Sequence, residues 1–180
     1  GTFDGEILSL EVIERFQNPY VRTLDQVYWD VLGLFAQIKQ SLQAALSLYG
    51  ASNLSSLGVD TMGIAFGLLD ANGELLGNPG YSRLPQREEV LAEAFRRMSP
   101  DLIYQHTGLQ PHKLNSLYGL LAMDMADSPR LDAAKTFLML PDLINYWLTG
   151  RIAGEYTIAS TSHLLDARSR KWASPLLAAM

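Results

Sequence analysis

From Leu57 to Leu69 the chain runs largely apolar, with glycine at 58, 63 and 67 and the pair Asp60-Thr61 at its middle. This reads as a strand. Asn72-Gly73 follows, a dipeptide that accepts the positive φ of a tight hairpin turn, and Glu74 to Leu76 supplies a short returning arm. Missing side chains along a strand let a ligand or another backbone come close, and packing is the commoner use of such glycines. A carboxylate in mid-run is costly to bury alone, so Asp60 is expected to meet a donor or a ligand.

Helical patterns surround this run. A period of three and four begins near Leu24 and continues through Val31, Leu34, Phe35, Ile38, Leu42, Ala45, Leu46 and Tyr49, with Gly50 placed to end it. Val90, Leu91, Ala94, Phe95 and Met98 form a second amphipathic stripe, and Ser99-Pro100 reads as an N-cap followed by proline in the first turn. Leu117, Tyr118, Leu120 and Leu121 make another apolar face. Thr136 to Leu140 fits a buried strand or a helix segment, and Leu143, Ile144, Trp147 and Leu148 make a helix that Gly150 ends. Strands alternating with helices imply α/β layering.

The N-terminus adds a second hairpin signal. Asp4-Gly5 suits a type I′ turn, and Leu8, Leu10, Val12 and Phe16 share one face of a half-buried strand after it. Only Gly1, Thr2 and Phe3 precede the turn, so the reading expects a further strand upstream.

Composition narrows the function. With 180 residues and no cysteine, the chain has the size of about one domain and no thiolate chemistry. A net charge of −5 gives no overall footprint for nucleic acid or anionic lipid. No stretch approaches the ~20 apolar residues of a membrane span, and nothing marks secretion. Motifs for a P-loop, a dinucleotide fold, a nucleophile elbow and an H-E-x-x-H zinc site are all absent. His106 and His112 sit at a loop spacing without an acidic companion, and His163 reads as a solvated helix-end residue. Arg83 follows the second hairpin in a proline-flanked loop, a place from which a cation reaches across a cleft. Asn115 precedes a helix and fits either a cap or a contact with a ligand hydroxyl.

The order of these pieces resembles a known family. Ser56-Leu57-Gly58-Val59-Asp60-Thr61-Met62-Gly63, then Phe66-Gly67-Leu68-Leu69-Asp70, is similar to the S-I-G-I-D-T-W-G…F-x-L-L-D block of rhamnulokinase-like members of the FGGY carbohydrate kinases. Leu140-Pro141-Asp142-Leu143, Asn145-Tyr146, Leu148-Thr149-Gly150, Glu155-Tyr156-Thr157, Ala159-Ser160-Thr161 and Leu164-Leu165-Asp166 with Arg168 and Trp172 resemble the family's M-P-D-L-x-N-Y-x-L-T-G…E-Y-T-x-A-S-T…L-L-D-x-R…W segment. Ile103-Tyr104, Thr107-Gly108 and Asn115-Ser116-Leu117-Tyr118 lie between them at similar positions.

The resemblance implies an α/β, ribonuclease H-like fold of the actin and hexokinase superfamily, a mixed sheet flanked by helices whose first strand lies upstream of Gly1. Residues 1–180 are then most of the N-terminal, sugar-binding domain, truncated at both ends relative to the family. It further implies a cytoplasmic parent enzyme that uses ATP and Mg2+ to phosphorylate a rhamnulose-like ketose. The phosphate-contacting strand lies before Gly1 and the catalytic aspartate after Met180. The chain therefore carries no catalytic, cofactor-binding or metal residue, and is inactive alone. The implied substrate-binding set is Asp60, Thr61, Met62, Gly63, Arg83 and Asn115: Gly63, Arg83 and Asn115 match family sugar-site positions, and Asp60, Thr61 and Met62 flank Gly63. Met62 stands where the family has tryptophan, Ala65 and Leu84 where it has aspartates, and Ser82 where it has tyrosine. Implied partners are a small-molecule sugar and the C-terminal nucleotide-binding domain of the same parent, with no nucleic acid or membrane, and pairing of copies through exposed edges. The competing reading is a non-catalytic sugar-binding or oligomerisation module derived from the kinase fold.

Overall fold

The computed structural model describes residues 1–24, 26–81 and 87–180. Two antiparallel hairpins open it: β1 (Thr2–Phe3) with β2 (Leu8–Ser9), and β3 (Tyr20–Thr23) with β4 (Gln26–Trp29). Helix α1 (Val31–Tyr49) starts where Asp30 Oδ1 accepts the Gly33 amide at 3.0 Å, and ends at Gly50, whose φ of 79° only glycine adopts readily. Strand β5 (Phe66–Leu69) follows, then α2 (Glu88–Arg97), α3 (Pro100–Thr107), α4 (Ser116–Met125) and α5 (Pro129–Ala133). Next come β6 (Thr136–Met139), α6 (Leu140–Thr149), α7 (Tyr156–Ser160), β7 (Leu165–Asp166), β8 (Lys171–Trp172) and α8 (Ser174–Ala179).

The centre is the antiparallel pair β5–β6, in register Phe66↔Met139 through Leu69↔Thr136. Its side chains alternate between two cores, as the pleat requires. Leu68, with Phe66 and Phe137 beside it, packs on Val90 and Ala94 of α2, Ile103 of α3 and Leu117, Tyr118 and Leu121 of α4. Leu69 and Leu138 point the other way, against Trp29, Val31, Leu143 and Ile144, with Leu34, Phe35 and Ile38 of α1 beside them. Helices thus cover both faces.

Local signals in the sequence appear where expected. Asp70 Oδ1 accepts the Asn72 and Glu74 amides at 2.8 and 2.9 Å, Gly73 takes φ 80°, and Leu76 donates back to Leu68 O at 2.9 Å, which makes the Asn-Gly hairpin. Ser99 caps α3 by accepting from the Leu102 amide at 3.1 Å. Gly108 and Gly150 close α3 and α6 in the left-handed region. Thr136–Met139 is a strand, which settles the open choice at that run.

Several expectations are corrected. Of the run from Leu57 to Leu69, only Phe66–Leu69 pairs as a strand; residues 54–62 carry no ladder, and Leu54 and Leu57 are exposed. The helical period begins at Val31 and not near Leu24, because Val21 and the aromatic and β-branched side chains of residues 27–29 form the hairpin β3–β4 first. The Asp4-Gly5 turn is formed, with Thr2–Phe3 as its first arm. The long half-buried strand after it is not: pairing stops at Ser9, and Leu8, Leu10 and Val12 are exposed because no apolar element covers them. That segment leans on α1 through polar contacts, Ser41 Oγ donating to Glu14 at 2.6 Å and Tyr49 Oη donating to the Glu11 carboxylate.

His163 is the largest reversal, since it is buried in the first core with its ring centroid 6.0 Å from that of Tyr118. Burial pushes its imidazole down to about 4, against the ordinary value near ~6.5, in spite of a hydrogen bond to the Gln110 backbone. The folded chain therefore keeps His163 neutral through a range in which the unfolded chain binds a proton. Stability is full above the unfolded value and falls as the pH drops towards the folded one, by about 3 kcal/mol in total. Urea unfolding is expected to show the midpoint declining between pH 7 and pH 4.5, with His163→Gln flattening the decline. An equally steep decline in His163→Gln contradicts the assignment.

Candidate functional site

The site is assembled by the Glu155-Tyr156-Thr157 to Thr161 stretch. Glu155 caps the short helix α7, accepting the Thr157 and Ile158 amides at 2.9 Å each, and these bonds with the Thr157 hydroxyl hold its carboxyl below the usual range. The cap delivers Thr161 onto two separate segments. Its hydroxyl donates to the Gly63 carbonyl, with the Ile158 carbonyl 2.7 Å away, and its own carbonyl accepts from Asn115 Nδ2. Ser116 Oγ donates to Ile64 O at 3.0 Å, and the Leu117 amide donates to Ser162 O at 3.0 Å. The start of α4, the loop 63–65 and the end of α7 are thereby fastened together. At Gly63 a Cβ would lie 3.1–3.3 Å from the Thr161 side chain, so any larger residue would push Thr161 back by a few tenths of an ångström.

A cleft of about 610 Å³ opens beside this junction, between β3–β4, the segment 76–81, β5 and α4. Asn115 and Ser116 lie in its wall. Tyr81 supplies an aromatic face, its ring centroid 4.4 Å from Trp29 and 4.9 Å from Tyr20, and its amide bonded to Val27 O at 2.8 Å. Trp29 N donating to Pro79 O at 2.9 Å completes this added edge on β4.

Of the residues singled out from sequence, Gly63 and Asn115 come together through Thr161. Asn115 is the N-cap residue of α4 but makes no cap bond with its side chain; its Nδ2 donates to Thr161 O, which leaves its amide oxygen uncommitted by that bond. Asp60 is exposed, which removes the burial argument for a partner. Thr61 and Met62 are half-buried, Thr61 Oγ1 donating to Met62 O at 3.2 Å and Met62 packing on the second core. Arg83, with Ser82 and Leu84, lies outside the described residues. Ala65 is buried, its carbonyl accepting from the Leu140 amide at 2.9 Å.

Sequence reasoning missed Thr161 as a site residue, although it belongs to the quoted A-S-T block; its role depends on contacts far along the chain. Asp142 was missed likewise. It is buried at the start of α6, accepts the Glu155 amide at 3.1 Å, and burial, with the Glu155 carboxylate nearby, pushes its carboxyl up. His106 Nδ1 lies 2.9 Å from Asp166, whose carboxyl also accepts the Ser169 and Arg168 amides and is held well below the usual range, chiefly by Ser169. That pair closes a turn. Among the described residues no three carboxylate, imidazole or thiol side chains gather where a metal ion could be held.

Thr161→Val keeps the shape and deletes the hydroxyl, leaving the Gly63 carbonyl without its donor. Urea denaturation is expected to show a loss of about 1–2 kcal/mol, against under about 0.5 kcal/mol for Thr161→Ser. Equal stability of Thr161→Val and the parent sequence contradicts the clip.

Known proteins share both the sequence and this architecture. A rhamnulokinase from Bacteroides thetaiotaomicron is 35% identical over 180 residues, all of this chain and 37% of its own length. One from Pectobacterium atrosepticum is 37% identical over 170 residues, 94% of this chain and 34% of its own. The chain thus spans about a third of the length of the curated relatives it matches. Among solved structures, xylulose kinase from Rhodospirillum rubrum superposes with a TM-score of 0.77 at 18% identity, covering 90% of this chain and 34% of that one. Ligand-bound xylulose kinase from Lactobacillus acidophilus gives 0.75 at 19% identity, over 89% and 33%. The fold is therefore the actin- and hexokinase-like fold of the sugar kinases, as the sequence blocks imply. The profile of the FGGY family of carbohydrate kinases, N-terminal domain, matches residues 4–180, and the chain belongs to that family.

Proposed function

We propose that residues 1–180 form most of the sugar-binding lobe of an ATP-dependent carbohydrate kinase, and that the parent transfers the γ-phosphate of ATP to a hydroxyl of a rhamnulose-like ketose. The observation that carries this reading is the 35% identity spread over all 180 residues to a protein named rhamnulokinase. Such transfer needs an in-line attack by a sugar hydroxyl, with ATP supplying the phosphoryl group and Mg2+ neutralising the charge that develops. Mg2+ is assigned, with the nucleotide, to the rest of the parent, and no step here runs through it.

What this lobe contributes is binding and orientation. The loop 60–63 is held in place by Thr161 at Gly63, and Asp60, Thr61 and Met62 flank it as the proposed sugar-facing residues. Asn115, fixed through Nδ2, offers its remaining amide oxygen to a sugar hydroxyl. Arg83 completes the proposed set. Tyr81 supports an aromatic platform where Met62 replaces the family tryptophan, and the buried Ala65 withdraws an acceptor, which shifts which sugar fits best. The exposed Leu8, Leu10 and Val12 favour a covering partner, which we take to be the rest of the parent chain. No helix of the described residues is long and apolar enough to cross a membrane. The use of ATP supports a cytoplasmic parent.

The test is ADP release by the parent with ATP and a panel of ketoses. Sugar-dependent release with rhamnulose among the preferred acceptors is expected, no release from the 180-residue chain alone, and an Asn115→Ala parent whose KM for sugar rises more than its kcat falls. A parent that releases no ADP with any sugar contradicts the reading.

A further inference from the structure

Asp142 stands in the first turn of α6, is 4% exposed and forms no ion pair among the described residues. A carboxylate is rarely buried so fully without a partner that offsets its lost hydration. The partner here is backbone: Oδ1 accepts the Glu155 amide at 3.1 Å, across 13 residues of chain. The acceptor itself is firmly seated. Leu140 N donates to Ala65 O at 2.9 Å at the start of α6, and Leu143 and Ile144 next to Asp142 are buried in the second core.

The segment that Asp142 holds has little else to place it. Residues 151–155 are exposed and lie in no helix or strand. The Arg151 amide bonds only to its neighbour Thr149, at Oγ1 and 3.2 Å, whereas the Glu155 amide reaches a different element. Helix α7, which follows, is five residues long and too short to hold its own direction. Its far end is held at Ser162 O by the Leu117 amide, and its near end by Asp142. Between them, the Glu155 carboxylate starts the helix on the Thr157 and Ile158 amides, and Thr161 meets the Gly63 carbonyl and Asn115 Nδ2.

We infer that Asp142 is a positioning residue for the sugar site: its carboxylate fixes the Glu155 amide, Glu155 starts α7, and α7 delivers Thr161 to Gly63 and Asn115. The inference rests on the reading of the chain as a sugar-binding lobe for what those residues bind, and on the contacts alone for how they are held.

Two measurements test it. In the parent with ATP and rhamnulose, Asp142→Leu and Glu155→Ala are each expected to raise the KM for sugar at least about five-fold while kcat changes less than about two-fold. Asp142→Asn keeps an acceptor oxygen and restores a KM within about two-fold of the parent's. The double variant Asp142→Leu/Glu155→Ala is no worse than the weaker-binding single one, because both cut the same line. In nitrogen–proton spectra of the 180-residue chain, the Asn115 side-chain amide moves towards the position of a free amide in Asp142→Leu and in Glu155→Ala. The Asn53 side-chain amide, bonded to Tyr49 O at 2.7 Å at the far end of α1, stays in place and reports any general loosening. Should Asp142→Leu not fold, Glu155→Ala decides, since Glu155 is exposed. An unmoved Asn115 amide, equal movement of Asn53, an Asp142→Asn parent as impaired as Asp142→Leu, or single effects that multiply in the double variant each overturn the inference. An active parent whose sugar KM ignores Asp142→Leu and Glu155→Ala removes this inference alone. A parent inert towards every ketose, with the Asn115 amide displaced in both chain variants, removes the kinase reading and leaves the positioning line standing.

Discussion

The pairing of Phe66–Leu69 with Thr136–Met139 is the constraint on which the rest depends. It joins distant parts of the chain and gives each of its faces a core to bury. Gly67 is the narrow point: a Cβ there would sit 2.9 Å from Leu143 and 3.1 Å from Leu75, so the room it leaves is filled by α6 and by the returning hairpin arm. Both ends of the ladder are fastened beyond the strands. Lys135 donates to Leu69 O at 2.8 Å at one end, and Leu140 donates to Ala65 O at 2.9 Å at the other. The second bond fixes where α6 begins and holds the loop leading back to Gly63. The cleft is therefore a consequence of the central ladder, since its wall is the strand edge and the start of α4 clipped onto it.

What was legible in the sequence follows the range of the interactions involved. Caps and turns are decided within a few residues, so Gly50, Ser99, Asn72-Gly73 and Gly150 act as read. Strand pairing is decided across the chain, so alternation alone misjudged where it stops. Leu57 to Ala65 has the composition of a strand but joins no strand ladder among the described residues, while β4 lies under the start of the helical period read from Leu24 and the short β3 before it carries no signal of its own. His163 shows the same limit for burial. A polar residue after Ser160-Thr161-Ser162 looked solvated, yet the turn carries it at φ +64° into the core beside Tyr118.

The candidate site divides along the same line. Family blocks pointed to Gly63 and Asn115, and the structure joins them through Thr161, a residue whose chemistry is ordinary and whose importance is positional. Asp60 looks costly because its neighbours are apolar, but its stretch joins no strand ladder and leaves it in solvent. Asp142 and Glu155 lie 13 residues apart, with the rest of α6 and an exposed loop between them, so no spacing in the sequence announces their contact.

The cleft wall is bolted to the β5–β6 ladder and opens only when that ladder does. Native-state amide hydrogen exchange tests it most directly, because the bolts are individual N–H groups: Leu117 to Ser162 O and Leu140 to Ala65 O. These two amides are expected to exchange as slowly as those of Phe66–Leu69, through global unfolding, while the amides of the exposed segment after Ser9 exchange freely. Rapid exchange at Leu117 and Leu140 with β5 still protected would show a cleft wall that moves independently of the ladder, and would contradict it.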